Sequence, residues 1–242
     1  MNQDNTKILV IAPPSISNNI VIGGMFLNSD CIRFVNSARN LGVILESDLM
    51  FNKQVKKVVT SCFMLLRKLY SIKHFLTPSQ LKSLVCSKVF SLIDYCNSLY
   101  FGLNAATIKK LQHVQNCAAR LIIKRGDPKP MEEFFLESHW LKVRERIIYK
   151  ILLTVHKCLH DLAPVLLTEL LEYAESDRWM KLRETKINSK FGMRAFSHVG
   201  PKLWNLLPHY IRSEHKTELF KKMIKSYLIT SGDEFHRKIN VH

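Results

Sequence analysis

Residues 88–125 read KVFSLIDYCNSLYFGLNAATIKKLQHVQNCAARLIIKR, and the spacing of their apolar side chains decides the fold class. Val89, Leu92, Ile93 and Cys96 recur at helical intervals, as do Leu111, Val114, Ala118, Leu121 and Ile122, with Gly102 and Asn104 between the two stripes. The pattern predicts two helices folded back across a short turn, their stripes facing each other. Asp94 falls inside the first stripe and is the only acid between residues 51 and 125. If that face is buried, its carboxylate needs a cation or several hydrogen bonds. Arg120 is the first candidate partner. Stepping about 100° per residue, however, places Arg120 with Lys109, His113, Asn116 and Lys124 in a narrow arc opposite the apolar stripe. Arg120 thus has two readings, a partner for Asp94 and a solvent-facing cation.

Upstream of this pair, residues 52–75 keep a helical period, with Val55, Val58, Val59, Cys62, Phe63, Leu66, Leu69 and Tyr70 on one side. Lys53, Lys56, Lys57, Arg67 and Lys68 mostly lie elsewhere on that helix. Thr77, Pro78 and Gln80 form a capping-box signature for the next helix, whose buried face continues through Leu81, Leu84, Val85, Val89 and Leu92. Before residue 50 the texture is different. ILVIA, IVIGGMFL, CIRFV and LGVIL are short apolar runs separated by Pro, Ser, Asn and Gly, which predicts three or four short strands with turns near 13–19, 28–30 and 36–40.

Downstream, residues 126–141 begin with a Pro-rich break and turn acidic, and Trp140 is read as the anchor of the following helix. Val143 to His160 is strongly apolar and is expected at the centre of the core. His156, Cys158 and His160 in H-K-C-L-H have a spacing that zinc can use, but no further ligand pair supports them, so no metal and no cofactor are assigned. Pro164 opens a short helix within 161–172, and 178–187 alternates as a strand would. Asp94, Tyr95, Trp140 and Trp204 are assigned to the structural core.

The chain has 242 residues, 36 Lys and Arg against 20 Asp and Glu, and a formal net charge of +16. The excess is concentrated: 13 basic and 1 acidic residue between 51 and 125, and 14 against 6 from 176 onward, whereas 126–175 is net acidic. A field of one sign over such a length favours a polyanion, because neutralising phosphates releases counterions. The six cysteines, at 31, 62, 86, 96, 117 and 158, include no C-x-x-C pair and read as reduced core residues of an intracellular protein, nuclear or cytoplasmic. No run approaches the length of a membrane span, and the apolar stretch before Pro13 is too short for a signal peptide.

LIDYCNSLYFG (92–102) followed by LQHVQNCAARLI (111–122) resembles the segment beyond the catalytic palm in reverse transcriptases of non-LTR (LINE-type) retrotransposons, particularly the jockey-like branch. NQDNTKILVIAPPS (2–15) and ARNLGVILESDLMF (38–51) resemble the end of the palm, with Glu46 where the family usually has Asp. HWLKVRERIIYKILLTVHKCLHDLAP (139–164), RAFSHVGPKLWNLLPHYIR (194–212) and LFKKMIKSYL (219–228) resemble the later blocks, with Lys142 where proline is usual. The resemblance implies a mainly α protein, a thumb-like helical bundle with a small N-terminal β segment left from the palm. It implies three parts: 1–50 as the palm remnant, 51–175 as the basic thumb-like domain, and 176–242 as a C-terminal helical region.

The family's catalytic carboxylates would precede residue 1. The chain has no Asp-Asp pair, and Asp4, Asp30 and Asp48 are scattered, so the two-metal chemistry of a polymerase has no ligands here. No other catalytic motif is present. The expectation is a non-enzymatic remnant that binds RNA or an RNA/DNA duplex with low specificity through Lys53, Lys56, Lys57, Arg67, Lys68, Lys109, Arg120, Lys124 and Arg125. Neither a membrane nor a small-molecule substrate is expected. Tyr70, Phe75 and Tyr100 lie near basic residues and are candidates for base stacking, or for the core. The alternative is a helical protein-interaction scaffold, or a non-functional transposon-derived open reading frame.

Overall fold

The computed structural model describes residues 6–12, 25–27, 30–32, 34–123, 129–174 and 180–240. The protein is mainly helical, with short antiparallel pairing near its start. Strands β1 (Met25–Leu27) and β2 (Asp30–Ile32) form one ribbon, and β3 (Ser37–Asn40) and β4 (Val43–Glu46) form another. Asn40 pairs with Val43, so the second ribbon turns on Leu41 and Gly42, both at positive φ. That is the two-residue turn whose twist suits a hairpin. The sequence placed a turn at 36–40. Residues 37–40 are strand and the turn falls at 41–42, because Gly42 tolerates the left-handed conformation at little cost.

The chain divides into two compact units, Met1–Cys96 with Leu103–Val114, and Asn97–Gly102 with Gln115–His242. This differs from the expected boundaries at 50 and 175. The β3–β4 hairpin packs on the first long helix rather than standing apart, and the C-terminal helices pack on the apolar helix that precedes them.

In the first unit, α1 (Asn52–Ile72) buries Val55, Val58, Cys62, Leu66 and Leu69. Its first turn has no side-chain cap of its own, since Phe51 at the N-cap position offers no acceptor. The hairpin supplies one acceptor to that turn, Glu46 Oε2 taking the Lys53 amide at 2.9 Å, and the helix supplies one to the hairpin, Gln54 Oε1 taking the Ile44 amide at 2.9 Å. A carboxylate at a helix N-terminus is favoured both by the orphan amide it accepts and by the helix dipole. After the turn Lys73–Phe75, the capping box forms as expected, with Gln80 donating to Thr77 Oγ1 at 3.3 Å and Thr77 donating to Gln80 Oε1 at 2.9 Å.

The helix that follows is not uniform. α2 (Pro78–Leu84) widens into a π-helical turn over Val85–Phe90 before α3 (Ser91–Asp94). The extra residue in the turn rotates the buried face, so Val89, Phe90 and Ile93 are buried while Leu92 is only partly covered. Cys96, at φ 52, ends this arm. The expected hairpin between this arm and α4 (Ala105–Ile122) is therefore modified: α4 belongs to the first unit only as far as Val114, and to the second from Gln115.

Two core assignments need correction. Tyr95 is 49% exposed, and its hydroxyl donates to Leu41 O at 2.5 Å, so its ring covers the hairpin turn. Asp94 is half-buried, and Arg120 is exposed, so a fully buried carboxylate does not arise. Among the cysteines, Cys62 and Cys158 are buried, but Cys86 is exposed and Cys96 and Cys117 are half-buried.

In the second unit, α5 (Met131–Glu137) precedes α6 (Val143–Leu159), which buries Val143, Ile147, Ile148, Ile151, Leu152, Val155 and Cys158. The turn Asn97–Tyr100, α7 (Val165–Thr168), α8 (Phe196–Asn205) and α10 (Thr217–Asn240) pack on it, with the single turn α9 (His209–Arg212) leading into α10. Trp140 is buried among Phe134 and Phe135, and Trp204 is wholly buried, its Nε1 donating to Met180 O at 2.9 Å. Gly102, at φ 73, lies under Arg194, which donates from Nε to Phe101 O at 3.0 Å and from Nη2 to Leu99 O at 3.3 Å.

The alternating stretch 178–187 is not a strand. Residues 178 and 179 lie outside the described residues, and of the rest only Leu182 makes a bridge, to Tyr173. The Asn205 side chain takes the place of a strand partner, accepting from Leu182 N and donating to Leu182 O, both at 2.8 Å.

Gln54 is 3% exposed and holds the hairpin to α1 through the Ile44 amide. Gln54→Leu keeps the volume but orphans that amide, so it should destabilise the protein by about 1–3 kcal/mol in urea unfolding. Amide exchange should accelerate first in residues 37–46.

Candidate nucleic-acid interface

The angular positions of the basic residues on α1 follow from its period. With Lys53 as origin, Lys56, Lys57, Arg67 and Lys68 all fall within about 60° to either side, while the buried stripe is centred on the opposite face. All five are exposed. From Lys53 to Lys68 the face runs about 22 Å along the helix axis. Its uniform sign comes from composition, since no acid lies on α1. The Lys53 ammonium reaches back to the hairpin, donating to Ser37 Oγ at 2.8 Å, so it is the most constrained of the five.

Lys109 is exposed on the first half of α4, in the same unit. It precedes His113 by one turn, and the His113 ring lies 5.8 Å from that of Phe63 on α1. Phe63 in turn precedes Arg67 by one turn, at the margin of the α1 basic face. Contact between Phe63 and His113 therefore sets the edge of one basic arc beside the other. Arg120 is exposed but belongs to the second unit, and Lys124 and Arg125 lie outside the described residues.

The aromatic candidates separate by burial. Tyr70, at the C-terminal end of α1, is 58% exposed and Phe75, in the turn that follows, 86%, and Lys73 Nζ stands 4.2 Å from the Tyr70 ring centroid. Tyr100 is 1% exposed and is part of the core, so it offers no stacking face. Nothing in the sequence distinguished these three, because burial depends on which elements cover the ring.

His156 and His160 share a helix face as their spacing requires, with ring centroids 4.3 Å apart, and His215 stands 5.2 Å from His160. His156 Nε2 lies 2.9 Å from Glu214 O, and its ring stacks on Phe220. One nitrogen of the presumptive pair is thus already engaged, and Cys158 points away into the core. Among the described residues, no group of three or more His, Cys, Asp or Glu is arranged to hold a metal ion. No helix among them is long and apolar enough to cross a membrane. Asp30 lies on β2 and Asp48 follows β4, where its carboxylate accepts the Met50 amide at 2.9 Å, while Asp4 is outside the described residues.

Comparison with protein-family models, with curated proteins and with solved structures finds no match to this chain.

Burial lowers the His156 imidazole to about 4, against the partly offsetting pull of Glu214 O. The unfolded chain takes up this proton near pH 6.5 and the folded chain does not, so stability present above ~6.5 is lost as the pH falls towards 4. The melting temperature should decline across that window. In His156→Gln the decline should be shallower, as read by subtracting the two pH profiles.

Proposed function

We propose that the protein binds RNA or an RNA/DNA duplex with low sequence specificity, the basic face of α1 lying along the sugar–phosphate backbone and Lys109 extending it. The observation that carries this reading is the alignment of Lys53, Lys56, Lys57, Arg67 and Lys68 on one exposed face of a helix without acids. Point cations on flexible stems hold phosphates without reading bases. In this reading the chain is the post-palm, thumb-like part of a non-LTR reverse transcriptase and has no polymerase activity of its own.

The test is a filter-binding titration against an RNA/DNA duplex at several salt concentrations. Affinity should fall steeply with salt, with a log–log slope of on the order of 0.7 to 0.9 per phosphate contacted. Lys56→Glu, Lys57→Glu and Lys109→Glu combined should weaken binding by at least roughly tenfold and flatten that slope by about 2. A slope near zero for the unmodified protein refutes the reading.

One observation favours a second reading, the helical protein-interaction scaffold. Leu162, Val165, Leu166 and Leu170 are 59, 69, 78 and 46% exposed around α7, an apolar cluster of the kind partners cover. Under that reading the same charge reversals leave partner binding intact, and Val165→Ser with Leu166→Ser abolishes it.

A further inference from the structure

A cleft of about 400 Å³ opens in the second unit between α5, the start of α6 and the later turns of α10. That volume falls within the range of sites that enclose small molecules. Phe135, Trp140 and Leu228 give it apolar walls, each 6% exposed or less. Set among them is Glu145, also 6% exposed. Its Oε1 lies 3.0 Å from His236 Nε2. Its Oε2 is buried and has no hydrogen-bond partner. Gly232 backs the carboxyl closely, since a Cβ there would stand 3.3 Å from both Glu145 Cγ and Oε1. The absence of a side chain at 232 leaves room for the group.

A buried acceptor left without a donor costs on the order of 1–3 kcal/mol, more when it is charged, so its persistence at a cleft wall calls for a donor from outside. We propose that this cleft is a binding site for a small ligand carrying a cationic N–H donor, an ammonium, amidinium or guanidinium group, on an aromatic or apolar body. With a small turn of the Glu145 carboxyl, whose Oε2 is closed to water, the cation meets that oxygen, and the body lies against Trp140, Phe135 and Leu228. The aromatic faces favour such a cation further.

Lys142 and Arg237 also line the cleft, yet they do not select an anion. Both stand at its edge in contact with water, and Lys142 Nζ already has Glu132 at 3.9 Å. Solvated edge charges contribute little, whereas the unpaired oxygen is desolvated, so it decides the sign of the ligand. Glu234, also at the edge, is paired with Lys238 at 2.8 Å and adds nothing to that preference. The site uses none of the α1 residues and does not depend on the nucleic-acid reading.

The test is calorimetric titration of the full chain with benzamidine, with its neutral isostere benzamide and with benzoate. Benzamidine should bind at least roughly tenfold more tightly than benzamide, the difference of a charge-assisted hydrogen bond, and benzoate should not bind. In Glu145→Gln, checked by circular dichroism to be folded, benzamidine should lose that advantage. Equal binding of benzamidine and benzamide, no binding of benzamidine at millimolar concentration, binding of benzoate, or an advantage kept in folded Glu145→Gln each overturns the proposal. If Glu145→Gln does not fold, the melting temperature of the unmodified protein with each compound decides instead. Benzamidine should raise it and benzamide should raise it less at equal concentration, and an equal rise or none overturns the site.

Discussion

Each unit is organised by one helix whose apolar surface has to be covered. In the second unit α6 carries seven buried apolar residues, from Val143 to Cys158, over more of its circumference than one neighbour can shield. The turn Asn97–Tyr100, α7, α8 and α10 all pack on it. In the first unit the stripe of α1 plays the same part on a smaller scale. Burying Val55, Val58, Cys62, Leu66 and Leu69 leaves the opposite face in water, and that face carries the five cations. Hydrophobic burial near 25 cal/mol per Å² drives this arrangement, and the orientation of the basic surface follows from it without any attraction among like charges.

The polar contacts then fix what apolar packing leaves loose. Glu46 and Gln54 join the hairpin to the first turn of α1, Tyr95 closes over the hairpin turn, and Asn205 holds the extended segment around Leu182. Each serves backbone groups that regular secondary structure would otherwise satisfy, a role short strands cannot fill for themselves. The same accounting draws attention to Glu145 Oε2, where a buried oxygen stays unserved beside an open cleft.

The two proposals rest on two separate kinds of surface. The α1 face is exposed and of one sign, and is proposed for a repetitive polyanion. The cleft beside Glu145 is a single concave site of mixed apolar and charged lining, proposed for one small cation. Neither arrangement supplies the paired carboxylates of a polymerase. The proposed role for the basic face is accordingly one of holding rather than reacting.

The sequence by itself determined the mainly helical class, the α1 stripe and its opposed lysines, the capping box at Thr77 and the apolar helix from Val143. All of these depend on residues within a turn or two of one another, where helical period and local hydrogen bonding dominate. Tertiary structure alone decided that Tyr95 is exposed and Tyr100 buried, that the π-helical turn brings Phe90 into the buried face and leaves Leu92 partly covered, and that α4 is shared between units. It also decided that Asn205 replaces a strand, and that Glu145 reaches a cleft 91 residues away from its partner His236 in sequence. These depend on which distant elements cover a residue and which distant groups meet its polar atoms, and no local period records either.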